Sequence, residues 1–157
     1  MRIEVELNGG PLAIEADPGE TLLEVLRRTG SVSVKDGCSR GDCGSCAVLL
    51  DGQAVTACML FAVQADGHRI TTTEGLADGE GLHPVQRALL DAGGVQCGFC
   101  TPGVMMAALD LLDRDPDPSE HDIRVALAGN LCRCTGYVKI VDGVRDAAAL
   151  LREGDDG

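Results

Sequence analysis

The residues of this sequence that could do chemistry are its cysteines, which lie at positions 38, 43, 46, 58, 97, 100, 132 and 134. They fall into two groups of four, one in each half of the 157-residue chain. Four thiolates complete the ligand set of a structural zinc ion or of a [2Fe–2S] cluster. The sequence therefore predicts one metal centre in each half.

The first quartet consists of Cys38, Cys43, Cys46 and Cys58. Its C-x4-C-x2-C spacing followed by a distant cysteine is that of plant-type [2Fe–2S] ferredoxins. Three ligands from one short loop require close backbone approaches, and residues without a Cβ tolerate them, as found here at Gly37, Gly41 and Gly44. We expect this quartet to bind a [2Fe–2S] cluster.

The second quartet consists of Cys97, Cys100, Cys132 and Cys134. A C-x2-C turn presents both thiolates to one side, and here it comes directly before a predicted helix start at Thr101-Pro102. Neighbouring side chains in an extended C-x-C segment would point to opposite faces. Flexible neighbours such as Gly129 and Gly136 are expected to bend the chain so that both sulfurs converge on a second cluster.

Other uses of the cysteines fit less well. A disulfide framework requires an oxidising compartment, and the N-terminal residues lack the pattern of a signal peptide. A zinc site remains an alternative for either quartet, although C-x4-C-x2-C is not a usual zinc spacing. His68, His83 and His121 lie at no ligand spacing from the cysteines, which disfavours a Rieske-type centre, and we interpret them as surface or capping residues.

The first half of the sequence predicts strands with one helix. Residues 2–7 alternate in polarity, and 12–16 follow a turn, which indicates a hairpin. Thr21 and Glu24 form a capping box that opens a helix ending at Gly30. Strands at 47–50 and 54–57 flank Asp51-Gly52, and a further strand is expected at 69–72.

The second half predicts four short helices. They are expected over 82–92, over 102–112 with Thr101 as N-cap, after a cap at Ser119, and over 138–151. The change in pattern places a domain boundary at 74–80, with domains over 1–76 and 77–157. Strands followed by helices give an α+β fold, whose second part is a small four-helix bundle.

The composition of the chain limits the kinds of partner that it is expected to bind. The chain carries a formal charge of −12 and shows no basic patch, so no binding to nucleic acid is expected. No run approaches 18 apolar residues, so no membrane span is predicted. Many cysteines without an export signal indicate a cytoplasmic location.

Three longer motifs resemble the iron–sulfur subunit of the molybdenum hydroxylases, the family of xanthine dehydrogenase, aldehyde oxidoreductase and aerobic carbon monoxide dehydrogenase. They are GCSRGDCGSC at 37–46, QCGFCTPG at 96–103 and GNLCRCTGY at 129–137. The segment 70–76, ITTTEGL, is similar to the family's interdomain segment. The resemblance covers about residues 2–150.

The resemblance implies an N-terminal β-grasp, plant-type ferredoxin-like domain and a C-terminal four-helix bundle, each with one [2Fe–2S] cluster. It also implies a role in an oxidoreductase: passing single electrons from a molybdopterin centre to FAD. The cluster of the helical domain would be nearer molybdenum. Gln96 and Cys134 occupy the family positions that approach the pterin. No catalytic residue and no substrate chemistry are expected on this chain.

The chain has no room for FAD or molybdenum domains, so the resemblance further implies a heterotrimer with a large molybdopterin-binding subunit and a medium FAD-binding subunit. A free-standing two-cluster ferredoxin-like carrier is the alternative. The apolar residues Phe99, Val104, Met105 and Met106 have two interpretations, a partner face or the bundle core. Purines, aldehydes, N-heterocycles, acyl-CoA aromatics and carbon monoxide all remain open as substrates of the complex.

Overall fold

The computed structural model describes residues 1–77, 79 and 81–155. Its elements are the strands and helix β1 (Arg2–Leu7), β2 (Gly10–Glu15), α1 (Leu22–Arg28), β3 (Ala47–Leu50), β4 (Gln53–Thr56) and β5 (Arg69–Thr71), then the helices α2 (Pro84–Asp91), α3 (Thr101–Arg114), α4 (Glu120–Ala126) and α5 (Val138–Asp155). The predicted α+β class is confirmed. Among the described residues no helix has the length and apolarity needed to cross a bilayer.

The five strands form one sheet in the order β2-β1-β5-β3-β4. Two antiparallel hairpins make up its outer parts, and β5 lies between them, parallel to β1 and antiparallel to β3. Both hairpin turns are two-residue turns with positive φ, at Asn8-Gly9 and Asp51-Gly52, as tight hairpins require. Strand β2 begins earlier than the predicted residue 12, because Leu7 already pairs with Gly10.

Helix α1 shares a hydrophobic core with the sheet. The predicted capping box opens it: the Thr21 hydroxyl accepts from the Glu24 amide, and the Glu24 carboxylate accepts from the Thr21 amide. This arrangement satisfies two backbone donors of the first turn. The core beneath the sheet includes Ile3, Val5, Ile14, Leu22, Leu26, Val48 and Ile70.

Helices α2 to α5 form a second core, which confirms the predicted four-helix bundle. Its fully buried members include Val85, Leu89, Met106, Ile123, Ile140 and Val144. Val104, Met105 and Met106 are at most 6% exposed and belong to this core. Phe99 differs from them, because 45% of it is exposed.

Two helix starts differ from the sequence prediction. Helix α3 begins at Thr101 with Cys100 as its N-cap, although Thr101 was the predicted cap. Helix α2 begins at Pro84, and the ring of His83 accepts a hydrogen bond from the Val85 amide, so His83 is a capping residue as expected. The Cys100 side chain makes no capping hydrogen bond in α3, so its thiol remains available to act as a metal ligand.

The segment between β5 and α2 is tied to the first half. The side chain of Asn8 accepts from the Thr72 amide at 2.8 Å, and the Glu74 carboxylate accepts from the Ser33 amide at 2.8 Å. Residues 78, 80, 156 and 157 lie outside the described residues, so part of the predicted boundary segment 74–80 does too. The division at 76/77 stays a prediction.

Candidate functional site: two thiol quartets

The β3–β4 hairpin brings together the two buried thiols of the first quartet. Ala47 pairs with Thr56 across the hairpin, and the Ala57 amide donates to the Cys46 carbonyl at 3.2 Å. Cys46 and Cys58 therefore flank the open end of the hairpin, where they are 2% and 8% exposed. Burial, and to a smaller extent the nearby Cys58 thiol, raises the pKa of Cys46.

The other two thiols of this quartet lie on the loop itself. Cys38 and Cys43 are half-buried neighbours whose thiols interact. The loop needs glycine at close approaches, since a Cβ on Gly37 would come within 2.9 Å of the Cys43 sulfur. Cys38 accepts hydrogen bonds from the backbone amides of Arg40 and Cys43, which lower its pKa to about 7. Backbone amides thus stabilise negative charge on this sulfur.

The second quartet is built from two turns at the ends of helices. The sulfur of Cys134 lies 3.7 Å from that of Cys97, and the thiols of Cys132 and Cys100 interact. The C-x-C segment therefore sends its two sulfurs to different partners in the C-x2-C turn. Both sulfurs thus lie beside the C-x2-C turn, and their joint binding of one cluster stays a prediction.

The pKa values of the second quartet follow burial and hydrogen bonding. Burial raises the pKa of Cys100 to about 12. Burial also acts on Cys132, but the hydroxyl and backbone amide of Thr135 outweigh it and lower the pKa to about 7. The neighbouring thiol of Cys97 raises the pKa of Cys134, although Cys134 is exposed. In the first quartet, burial likewise raises the pKa of Cys46 to about 12.

The pairing of the thiols bears on which metal group they fit. In each quartet the thiols lie close enough for one to shift the pKa of another, as at Cys38, Cys46 and Cys100, and the Cys97 and Cys134 sulfurs are 3.7 Å apart. Throughout the part of the chain that the structure describes, no three His, Cys, Asp or Glu side chains are placed around a single ion. A binuclear cluster needs two thiolates on each iron. Each half of the chain supplies the four cysteines that such a cluster requires.

The two quartets differ in their access to the surface. Cys97 and Cys134 are exposed, and so is Gln96, the residue before the C-x2-C turn. In the first quartet no cysteine is more than half-exposed. The structure thus places Gln96 and Cys134, the two predicted pterin-contact residues, at the solvent edge of the second quartet.

Sequence reasoning missed the residues that hold the C-x-C turn. The hydroxyl of Tyr137 accepts from the Cys132 amide at 2.7 Å and donates to the Asn130 carbonyl at 2.9 Å. Tyr137 also has a φ of +70°, which is unusual for a residue with a side chain. Its bonds close the turn around Cys132. No local sequence pattern indicates such a bond, because it depends on the turn it creates.

Exposed apolar side chains surround the first-quartet loop. Met59, Phe99 and Leu131 are 58%, 45% and 55% exposed. Atoms of Met59 and Phe99 lie against Gly41 and Gly37, and the Leu131 amide donates to the Cys43 carbonyl. Apolar groups gathered at one place on a surface mark an interaction site.

Two families of known proteins match the chain, one mainly in each half. Residues 5–77 match the family described as "2Fe-2S iron-sulfur cluster binding domain", and residues 72–145 match "[2Fe-2S] binding domain". The chain is 49% identical over 148 residues to the nicotinate dehydrogenase small FeS subunit of Eubacterium barkeri, covering 94% of each.

Solved structures give the same result. Quinoline 2-oxidoreductase from Pseudomonas putida 86 has a chain that is 41% identical, with a TM-score of 0.94 and coverage of 98% of this chain and 97% of that one. Aldehyde oxidoreductase from Desulfovibrio gigas is 44% identical with a TM-score of 0.93, and this chain covers 17% of it. The same unit thus occurs both as a separate chain and as part of a longer one.

Two cluster-binding domains in one short chain define a two-cluster iron–sulfur electron-transfer protein. The chain belongs to the family of the iron–sulfur subunits of the molybdenum hydroxylases. It is an electron-transfer subunit of an oxidoreductase, its cofactors are two [2Fe–2S] clusters, and related proteins are parts of complexes with larger partners. The fold, family, function and cofactors predicted from the sequence are confirmed.

Proposed function

We propose that the two quartets are the cluster ligands and that this chain links a molybdopterin centre on a large subunit to FAD on a medium subunit. The proposal rests on one observation: the eight cysteines form two sets of four, and thiols within each set lie close enough to shift one another's pKa. When bound, a [2Fe–2S] cluster takes up and releases one electron at a time. The protein's share is to hold the thiolates, exclude water and place the two sites.

Groups of this chain are suited to holding the thiolates and excluding water. Backbone amides around Cys38 and the Thr135 hydroxyl beside Cys132 stabilise thiolate charge. Hydrogen bonds to sulfur raise the reduction potential of a cluster, because they offset negative charge. Burial of Cys46 and Cys100 keeps water from the inner side of each site.

The family resemblance implies the direction of the relay, and the exposure of the second quartet supports it. We assign the second quartet to the molybdopterin side, with Gln96 and Cys134 as the contacts to the pterin, because they lie at its exposed edge. The first quartet then faces FAD. The domain division at 76/77 and the cytoplasmic location are part of the same proposal, the latter because free thiols and iron–sulfur clusters suit a reducing compartment.

The exposed apolar residues favour a subunit over a free-standing carrier. A freely diffusing ferredoxin requires a polar surface around its clusters, whereas Met59, Phe99 and Leu131 are exposed beside the first-quartet loop. A tightly associated partner would cover these residues.

The test is purification of the full chain from its own cells, followed by size-exclusion chromatography and analysis of iron, molybdenum and flavin. We expect one complex containing two larger chains, molybdopterin and FAD, with two [2Fe–2S] clusters per copy of this chain. A monomer with two clusters and no flavin or molybdenum would contradict the proposal and support the free carrier. A colourless zinc-containing chain would contradict both.

A further inference from the structure

The two cluster loops are in direct contact through their backbones. The Leu131 amide donates to the Cys43 carbonyl at 2.9 Å. Cys43 belongs to the first quartet, and Leu131 immediately precedes Cys132 of the second. A single hydrogen bond and one peptide unit therefore separate a ligand of one site from a ligand of the other.

Residues without a side chain make this contact possible. Gly44 lies between helix α3 and the loop after α4. A Cβ on Gly103 would come within 2.2 Å of the Gly44 carbonyl oxygen, and a Cβ on Gly44 would come within 2.3 Å of the Gly129 carbonyl oxygen. Real Cβ atoms do not approach that closely, so any side chain at these positions would push the loops apart.

A buried amide fixes the contact from the other side. Asn130 is 5% exposed, and its side-chain amide donates to the Gly44 carbonyl at 3.1 Å. Its backbone amide donates to the Leu127 carbonyl at 2.9 Å, so Asn130 is itself held by the end of α4. Leaving the Gly44 carbonyl without this donor would cost free energy, because both groups are buried.

We propose that Gly103 and Asn130 are positioning residues for electron transfer, which hold the Cys43 end of the first loop against the Cys132 end of the second. The inference rests on the ligand assignment made above. In the step concerned, one electron leaves the helical-domain site, which is oxidised, and reaches the ferredoxin-like site, which is reduced. No bond forms or breaks, and the Leu131–Cys43 hydrogen bond joins the two loops directly.

The test compares the full chain with three variants. Gly103→Ala inserts a methyl group against the Gly44 loop, and Asn130→Ala removes the buried donor. Gly154→Ala is the matched control: it makes the same change within helix α5, where nothing lies within 4 Å of the added Cβ. Alanine is also the better helix former, so Gly103→Ala is not expected to weaken α3 itself.

Each protein is measured for iron content, for the low-temperature EPR spectrum after full reduction, and for the rate of electron exchange between its two sites after a flash of photoreductant. The magnetic splitting of the EPR signals reports on the separation of the two sites. A merely structural role would leave it unchanged in protein that retains its iron. We expect Gly103→Ala and Asn130→Ala to keep full iron, lose most of the splitting and exchange electrons several-fold more slowly, while Gly154→Ala matches the unaltered chain.

Unaltered splitting and rate in either iron-loaded variant would overturn the proposal. If one variant loses its iron, the other variant tests the proposal. If both lose their iron, the proposal is overturned, because the contact would then serve cluster assembly. Failure of the ligand assignment is distinguishable, since the unaltered chain itself would then lack one of the two clusters.

Discussion

Three of the four cysteines of the first quartet lie on one loop, whereas the second quartet joins two turns that are far apart in the sequence. The loop 38–46 is followed directly by the hairpin that supplies Cys58. The turns 97–100 and 132–134 meet only after α3 and α4 have packed against each other. The first site is therefore encoded locally, and the second depends on the tertiary structure of the bundle.

The two sites also differ in the solvent exposure of their cysteines. The first has two buried and two half-buried thiols, whereas the second has two exposed ones. In the first site, backbone amides of a tight loop lower the pKa of Cys38. In the second, the hydroxyl and backbone amide of Thr135 lower the pKa of Cys132. The second site is therefore the one whose ligand sulfurs reach the surface of this chain.

Removing one ligand from each site should give the largest effect. Cys46→Ser is expected to abolish the first cluster and Cys100→Ser the second, because each removes a buried thiolate whose loss leaves one iron with a single cysteine. Each variant should retain about half of the iron. Because the second site depends on the bundle, Cys100→Ser should also lower the thermal stability of the helical half more than Cys46→Ser lowers that of the first half.

Iron analysis and the EPR signal of the remaining cluster check this prediction, and calorimetry compares the two halves. Retention of both EPR signals in either variant would contradict the ligand assignment. Ser45→Ala, next to a ligand in the same loop, is the control that should keep both clusters.

The reactivity of individual thiols in the iron-free chain should differ by orders of magnitude. With pKa values of about 7, Cys38 and Cys132 are largely thiolates at pH 8. With pKa values of about 12, Cys46 and Cys100 are almost entirely protonated there. Since the thiolate is the nucleophile, iodoacetamide at pH 8 should label the first two residues far faster than the second two.

Mass spectrometry of peptides from a time course measures these rates. Cys134 makes the test sharper, because it is exposed while its neighbour Cys97 raises its pKa. If exposure alone governed labelling, Cys134 would react before the half-buried Cys38. We expect the opposite order.

Truncation of the two hydrophobic cores should destabilise the two halves by similar amounts. Leu26→Ala under the sheet and Met106→Ala in the bundle each remove a side chain that is fully buried. Each should cost about 2–5 kcal/mol of the free energy of unfolding. Hydrogen exchange of the cluster-loaded chain should show faster exchange mainly in the half that carries the substitution. Equal acceleration in both halves would show that the loop contact makes them one cooperative unit.

The smallest effect concerns the carboxylate that ties the interdomain segment to the first half. Burial works against ionisation of Glu74, but hydrogen bonds from Ser33 and Thr72 outweigh it and lower the pKa below its ordinary value of 4.5. This stabilisation is present above pH 4.5 and is lost as the pH falls through the lowered pKa. Glu74→Gln should cost about 1 kcal/mol at pH 7, because the group is largely exposed.

Urea unfolding of the two proteins at pH 7 and at pH 3 measures this difference. The gap in unfolding free energy should shrink at the lower pH, because the carboxylate becomes protonated as the pH falls through its lowered pKa. A gap that stays constant between the two pH values would assign the effect to packing rather than to charge. Glu153→Gln, at an exposed position of helix α5, is the control for a general loss of charge.

Much of the structure could be predicted where the signal is local. Hairpin turns such as Asp51-Gly52, the capping box at Thr21 and the helical periodicity of α3 act over a few residues, and each element was found within a few residues of its expected place. The grouping of the cysteines into two quartets could also be predicted from the sequence, because ligand spacing within a loop is itself local. These features are decided by neighbours along the chain.

The remaining features depend on contacts between distant segments. The central place of β5, the burial of Met105 and Met106, the cross-pairing of Cys132 and Cys134 and the hydrogen bond from Asn130 to Gly44 join residues that the sequence separates widely. The start of α3 also lies one residue earlier than predicted, with Cys100 rather than Thr101 at the cap position. Spacing alone cannot indicate which distant segment will be the neighbour.

The position of β5 in the middle of the sheet affects how the protein is made. The β1–β2 and β3–β4 hairpins touch the rest of the sheet only through β5, which pairs with Leu7 on one side and Leu50 on the other. A ribosome must therefore release residue 71 before the first half can close, although the loop for its cluster emerges much earlier. Iron delivered to the nascent chain before that point would meet two unjoined hairpins, so we expect cofactor insertion to follow translation of β5.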